Sequence, residues 1–134
     1  MIDDVEVFRT TIELESLEHR GYRVALHEVP VDTDAALSWI PASVLEEHGI
    51  VREKVWHFQQ ADGTRLARST GYAIVHVAGA ETNDEVVFAE PGDPVMLGAR
   101  SLGGLNLTVD PVARRLVDAG PAAAVVSGEL TSEL

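Results

Sequence analysis

The sequence predicts an all-β domain, a barrel or a sandwich, with one or two short helices. Many short segments alternate apolar and polar residues or are rich in β-branched residues, and turn-forming residues separate them at close spacing. The length of 134 residues fits one domain with one core. We therefore predict a single domain over residues 1–118 and a flexible tail over residues 119–134, whose sequence is small and polar.

The first predicted unit is a hairpin that ends at Asp32. Apolar and polar residues roughly alternate over Val5–Glu15, as in a half-buried strand, and His19-Arg20-Gly21 signals a turn. An extended pattern resumes over Tyr22–Val31, where Pro30 favours extended geometry at the residue before it. This second strand is expected to deliver Asp32 at its end.

A short helix and a projecting hairpin are predicted next. The segment Pro41–Gly49 has proline near its start, helix formers inside and glycine at its end. Lys54–Gln60 and Thr64–Arg68 are predicted strands, and Asp62-Gly63 between them is the strongest short hairpin signal in the chain. The tip of this hairpin is expected to project from the domain.

The second half of the chain predicts two more hairpins and one helical turn. Gly71–Ala78 and Glu85–Ala89 are rich in β-branched and aromatic residues, and we interpret them as strands around a turn at Glu81–Asp84. The remaining predictions are a short buried strand at Val95–Leu97, a helical turn at Ala99–Leu102 stopped by Gly103-Gly104, and a hairpin of Leu105–Val109 and Arg114–Asp118 that turns at Asp110-Pro111. The alternative to a wholly flexible tail is an added edge strand at Val125-Val126.

Composition excludes several classes of function. Ten basic residues against 22 acidic ones give a formal charge of -12, which repels phosphate backbones and anionic membrane surfaces, so neither nucleic acid nor a membrane is an expected partner. The chain has no cysteine, which excludes disulfides, thiolate metal sites and a cysteine nucleophile. With no signal peptide and no long apolar stretch, we expect a cytoplasmic protein.

Three segments, taken in chain order, carry a family resemblance. Val31-Asp32-Thr33 ends a predicted strand and is followed by Asp34, Ala35 and Ser38; the hairpin tip Ala61-Asp62-Gly63-Thr64 comes next; Met96-Leu97-Gly98 precedes a short helix. This order resembles the retropepsin-like aspartic peptidase family, with its Asp-Thr/Ser-Gly loop, its flap hairpin and an apolar-apolar-Gly segment behind the loop. The match runs from about Val5 to Val109, most of the chain.

The resemblance implies a closed acid-protease barrel that is active as a homodimer on extended polypeptide. Asp32 would be the catalytic carboxylate and Thr33 would brace the two loops of the dimer, with Asp34, Ala35 and Ser38 supporting the loop. Residues Ala61–Thr64 would form the flap, and Met96-Leu97-Gly98 would pass behind the loop. Neither a cofactor nor a metal ion is expected. Ala36 and Leu37 are apolar where retroviral relatives have acidic residues, so a different subsite preference is expected.

The chemistry explains why two copies are needed. Amide hydrolysis without a metal or a covalent nucleophile needs one carboxylate that takes a proton from water and a carboxylic acid that polarises the scissile carbonyl. Two close carboxylates cannot both ionise cheaply, so they share one proton, and an acidic optimum is expected. One chain of this length has only one such segment, and a C2 homodimer supplies the second.

Asp34 departs from the family pattern, because glycine is usual at that position. Aspartate tolerates unusual backbone angles, so the fold is compatible with it. Its carboxylate either points into the cleft, obstructing a peptide and adding charge, or caps the loop. The alternative function is therefore a catalytically impaired pseudo-peptidase that binds peptides as a dimer. A third interpretation is a small-molecule-binding β-barrel.

Overall fold

The described chain, residues 8–124 of a computed structural model, forms eight strands and two short helices. The elements are β1 (Arg9–Glu15), β2 (Arg23–Pro30), β3 (Ser38–Pro41), α1 (Ala42–Glu47), β4 (Lys54–Gln59), β5 (Arg65–Val77), β6 (Ala80–Ala89), α2 (Ala99–Leu105), β7 (Leu107–Asp110) and β8 (Arg115–Asp118). This confirms the predicted all-β class with two short helices. The predicted strand at Val125-Val126 and the first residues of the predicted strand Val5–Glu15 lie outside the described residues.

Six strands form one sheet in the order β2-β1-β5-β6-β3, with β4 paired to the first half of β5. All neighbours are antiparallel except β3 and β6, which run parallel from Ser38↔Val86 to Pro41↔Ala89. The strands β7 and β8 form a separate two-stranded ribbon. β3 is thus placed beside β6 although a long stretch of chain separates them.

The closed barrel implied by the family resemblance is not formed by the described residues, because β2 and β3 remain the two edges of an open sheet. In the described part of the chain, the Met96-Leu97 segment lies beside these edges and forms two isolated bridges, Val31↔Leu97 and Trp39↔Met96. The predicted strand Val95–Leu97 is also wrong, since only these two bridged residues pair. Pro94, which precedes this segment, has no N–H to donate, and α2 begins directly after Gly98. The segment is therefore too short to form a ladder of strand hydrogen bonds.

The predicted turn at Glu81–Asp84 is wrong. The chain reverses earlier, at Ala78 and Gly79, whose positive φ angles of 52° and 82° suit a two-residue hairpin turn. β5 is also one continuous strand, although two were predicted. In the middle of β5, position 71 requires glycine, because a Cβ there would clash with the backbone oxygen of Val51.

Both helices lie near their predicted positions. Pro41 precedes α1, and α2 runs through Gly103-Gly104, past the predicted stop, to Leu105. Asn106 caps it in the left-handed region at φ 56°. Gly104 is needed inside α2 because a side chain there would clash with Thr82. Neither helix within residues 8–124 is long and apolar enough to cross a membrane.

Two apolar clusters hold the domain together. The larger one lies between the sheet and the helices, and its fully buried members include Ile12, Leu14, Ile40, Leu45, Val75, Val86, Phe88 and Leu97. The smaller one consists of Leu37, Trp39, Val87 and Ala89, with Trp56, Phe58, Leu66 and Met96 packed against it. The smaller cluster joins the β4–β5 hairpin to the segment that follows Asp32.

The start of the predicted tail is tied back to the domain. The backbone N–H of Ala119 donates to the carbonyl of Asn106 over 2.9 Å, and the Asn106 side chain donates to the carbonyl of Gly120 over 2.9 Å. These contacts extend the ordered backbone slightly beyond residue 118.

Candidate active-site loop

The loop between β2 and β3 begins at Asp32, where β2 leaves the sheet. Two backbone hydrogen bonds fix this point, from Leu97 N–H to the carbonyl of Pro30 (2.8 Å) and from Asp32 N–H to the carbonyl of Leu97 (2.9 Å). The Asp32 backbone is therefore held by a segment that is distant in sequence.

The carboxylate of Asp32 is exposed and held in one orientation. The Oδ1 atom accepts a hydrogen bond from the backbone N–H of Asp34 at 2.9 Å. The backbone carbonyl of Asp32 accepts one from Ala35 N–H at 3.2 Å. This is a local turn in which an aspartate side chain bonds the backbone two residues on. The other carboxylate oxygen receives no hydrogen bond from the described part of the chain.

Asp32, Thr33 and Asp34 line an open cleft of about 650 Å³. The other walls come from Phe8, Arg9, Pro30, Val31, Pro94, Val95, Met96 and Val109. All three loop residues are exposed. The cleft is large enough for several side chains of an extended peptide, and the Asp32 carboxylate lies at its wall.

The backbone at Asp34 does not need glycine. Among the described residues that are not glycine, only Glu28, Ala78, Asn106 and Arg114 have a positive φ. Asp34 therefore occupies its position without backbone strain of that kind. Its exposed side chain lines the same cleft as Asp32 and forms no hydrogen bond or ion pair with the described residues.

Met96-Leu97-Gly98 lies directly against the loop. Met96 and Trp39 exchange both backbone hydrogen bonds (2.9 and 3.0 Å), and the N–H groups of Ala99 and Arg100 donate to the carbonyls of Ala35 (2.8 Å) and Ala36 (3.0 Å). A Cβ on Gly98 would lie 2.5 Å from the carbonyl oxygen of Leu37 and 2.8 Å from that of Ala35. Only glycine permits this close approach.

A buried chain of polar groups links the loop to α2 and β6. The Oγ atoms of Ser38 and Ser101 are 2.6 Å apart, Ser38 Oγ accepts from Gly98 N–H at 2.9 Å, and Ser101 Oγ donates to Asp84 Oδ2 at 2.6 Å. These side chains are fully or almost fully buried. Sequence reasoning assigned a supporting role to Ser38 but missed Asp84 and Ser101, since nothing local marks them as buried.

A second buried carboxylate, Glu85, continues this network toward the β4–β5 hairpin. Its Oε2 accepts from Thr70 Oγ1 (2.6 Å) and Trp56 Nε1 (2.9 Å), while Arg100 lies 3.3 Å from Oε1. Burial raises the pKa of Glu85, but the hydrogen bonds from Thr70 and Trp56 and the charges of Lys54 and Arg100 outweigh it, so its pKa is lowered. Glu85 is thus a paired structural carboxylate.

The hairpin predicted as a flap projects between β4 and β5. Gly63 has a φ of 89°, and Asp62 Oδ1 accepts from the N–H and the hydroxyl of Thr64 at 2.9 and 2.6 Å. The bonds from the Thr64 hydroxyl and N–H lower the pKa of Asp62. The four tip residues, Ala61 to Thr64, are exposed, and none of them is among the described residues that line the cleft.

The base of this hairpin packs beside the loop through aromatic side chains. The Trp39 and Phe58 rings are 4.9 Å apart and tilted by 54°, and Trp56 stacks on Phe58 at 5.9 Å. The structure thus brings the loop, the Met96–Gly98 segment and the base of the hairpin together, while the described tip residues do not line the cleft.

No protein-family model and no curated protein sequence matches the chain.

Proposed function

We propose that the protein is an aspartic endopeptidase that hydrolyses peptide bonds of extended polypeptides as a homodimer. The observation that carries the proposal is the Asp32 carboxylate, which is exposed at a cleft wall yet oriented by the N–H of Asp34. The rigid backing of Met96-Leu97-Gly98 supports it further, because catalytic groups need a fixed position.

The proposed reaction uses Asp32 from both copies. One carboxylate takes a proton from water as the water oxygen bonds to the scissile carbonyl carbon, and the protonated carboxylate gives its proton to the carbonyl oxygen. When the C–N bond breaks, the carboxylate that took a proton from water gives it to the amine nitrogen. A hydroxyl of the intermediate returns a proton to the other carboxylate. The pair ends, as it began, with one shared proton.

Two further elements fit this reaction. The exposed Thr33 hydroxyl stands beside Asp32, where it can bond the loop of a second copy across a two-fold axis. The β4–β5 hairpin has an exposed tip and an anchored base, so it can close over a bound peptide and exclude water. In this proposal the protein acts in the cytoplasm and needs no cofactor or metal ion.

A catalytically impaired peptide-binding module is the second candidate. It is favoured by one observation, that the Asp34 carboxylate lines the same cleft as Asp32. In a dimer this would place four carboxylates around the centre, and their mutual repulsion would disturb the shared proton.

The direct test is cleavage of an unfolded protein between about pH 3 and pH 7, with Asp32→Asn as the matched control. Cleavage by the natural protein but not by Asp32→Asn supports the peptidase. Equal cleavage by both, or none by either at any pH, removes the catalytic claim. If Asp34→Gly then acquires cleavage that depends on Asp32, the second candidate is supported.

A further inference from the structure

Exposed apolar side chains converge at the end of the domain opposite the Asp32 cleft. Among residues 8–124, six large apolar residues are more than a third exposed: Leu17, Tyr22, Val51, Val55, Tyr72 and Val112. Four of them line two grooves that share Ser16 and Gly49 as common walls. Such a concentration of exposed apolar surface is typical of an interaction site.

The two grooves together form one face, which we call the Tyr22–Val51 face. One groove, of about 360 Å³, is lined by Ser16, His19, Tyr22, Glu47, His48 and Gly49. The other, of about 220 Å³, is lined by Ser16, Leu17, Glu18, Gly49, Ile50, Val51, Glu53 and Tyr72. Tyr22 is 73% exposed and Val51 61%, so both can contact a partner without opening the core.

The rim of this face is acidic. Glu18, Glu47 and Glu53 are exposed, and none of them forms an ion pair with any residue that the structure describes. The described residues that line the two grooves include no lysine and no arginine. Elsewhere on the described surface, by contrast, Glu46 and Glu90 are paired with Arg52.

The face is separate from the candidate active site. Arg9, at one end of β1, lines the Asp32 cleft, whereas Ser16 just beyond the other end lines the grooves. The seven residues of β1, Arg9–Glu15, span about 20 Å of extended strand. Occupation of the face therefore does not depend on whether Asp32 is catalytic.

We propose that the Tyr22–Val51 face binds a cationic amphipathic segment of another polypeptide. Its apolar side chains would enter the two grooves beside Tyr22 and Val51, and its lysine or arginine side chains would lie against Glu18, Glu47 and Glu53. This chemistry follows from charge complementarity between an apolar surface with an unpaired acidic rim and a basic partner. An acidic or purely polar segment would be repelled or would leave the apolar grooves exposed.

The test uses a fluorescein-labelled peptide of leucine and lysine, about 14 residues long, with leucines at helical spacing. Its fluorescence anisotropy is measured with the full chain and with the double variant Tyr22→Ser/Val51→Ser. We expect the double variant to bind at least about tenfold more weakly, because it loses two exposed anchors. Val112→Ser is the matched control, since Val112 is 92% exposed on the β7–β8 turn, outside the face.

Two further measurements test the role of the acidic residues of the face. Glu47→Gln/Glu53→Gln is expected to weaken binding several-fold, and salt at roughly 0.5 M should reduce the affinity of the natural protein. A matched peptide with glutamate for lysine should not bind. Thermal denaturation of each variant checks that the fold is retained.

Several results would overturn the proposal: no binding, equal binding of both peptides, or equal loss of binding in Val112→Ser and in the double variant. A sedimentation-velocity experiment gives one more result that would overturn it. If the double variant loses self-association that the natural protein shows, the face belongs to a second copy of the chain and the cationic partner is excluded.

Discussion

The hydroxyl oxygens of Ser38 and Ser101 lie 2.6 Å apart in the core, and neither residue has exposed surface. Ser38 belongs to the strand that follows the Asp32 loop, and Ser101 to the helix that follows Met96-Leu97-Gly98. Because Ser101 also bonds Asp84, the pair joins the loop, α2 and β6 by side-chain hydrogen bonds. We infer that this link holds the backing segment against the loop.

Ser101→Ala should lower the free energy of unfolding by about 1–3 kcal/mol, because it leaves Asp84 Oδ2 buried without its donor. Urea denaturation measures this change. Ser43→Ala is the matched control, since Ser43 is exposed, and a change within about 0.5 kcal/mol is expected there. Equal effects at the two serines would contradict the role of the buried link.

Gly98→Ala should be strongly destabilising or should displace the loop, because its Cβ would lie 2.5 Å from the carbonyl oxygen of Leu37. A loss of about 3 kcal/mol or more is expected, since backbone atoms must move to make room. Gly103→Ala, in the same region of the chain, meets nothing within 4 Å and lies inside α2. It should instead stabilise the protein by up to about 1 kcal/mol. Urea denaturation of both variants gives the comparison, and a mild effect at Gly98 would refute the close packing.

Asp32→Asn should strongly slow cleavage while leaving the unfolding midpoint almost unchanged. The side chain is exposed, and an asparagine oxygen can still accept from Asp34 N–H. The loss of proton transfer should cost about 10²- to 10⁴-fold in rate. Cleavage assays and thermal denaturation on the same preparations separate the two effects. Retained cleavage would exclude Asp32 as the catalytic group.

Asp34→Gly should raise cleavage that depends on Asp32, because it removes a carboxylate and its side chain from the cleft wall. It should also cost about 0.5–1 kcal/mol of stability, since this backbone position does not use a positive φ and glycine adds freedom to the unfolded chain. Asp34→Asn is the control that keeps the size and removes the charge. Unchanged cleavage in both variants would mean that Asp34 is merely tolerated.

The Glu15 carboxylate, beside the β1–β2 turn, is expected to contribute to stability in a way that acid removes. This buried carboxylate accepts from Gly21 N–H, lies 2.7 Å from His76 Nε2 and 3.2 Å from Arg20 Nε, and these partners lower its pKa from 4.5 to about 2. A folded-state pKa below the unfolded one stabilises the protein at higher pH. The contribution is therefore complete above about pH 5 and is lost as the pH falls toward 2.

The measurement is urea denaturation at about pH 6 and about pH 3. Stability of the natural protein should fall more between these values than that of Glu15→Gln, which has no carboxylate to protonate. Glu47→Gln, which alters an exposed glutamate with no ion pair among the described residues, should behave like the natural protein. The same acid sensitivity in Glu15→Gln would exclude Glu15 as its source.

Much of the secondary structure was predictable because it is encoded locally. Alternating residues gave β1 and β2, Asp62-Gly63 gave the β4–β5 hairpin, and Pro41 marked the start of α1. Two errors concerned the ends and the pairing of strands. The β5–β6 turn fell at Ala78 and Gly79, and the Met96-Leu97 segment made two isolated bridges in place of a strand.

The sequence by itself determined that this chain is all-β, acidic and free of cysteine, and that Asp32 stands at the end of a strand, because alternation, composition and turn residues act within short stretches. Only the tertiary structure decided that the sheet stays open, that Asp84 and Glu85 are buried, and that Gly98 must be glycine. It also decided that Tyr22 and Val51 line two grooves that share Ser16 and Gly49. Burial and close approach depend on residues far apart in the chain, so no local pattern encodes them.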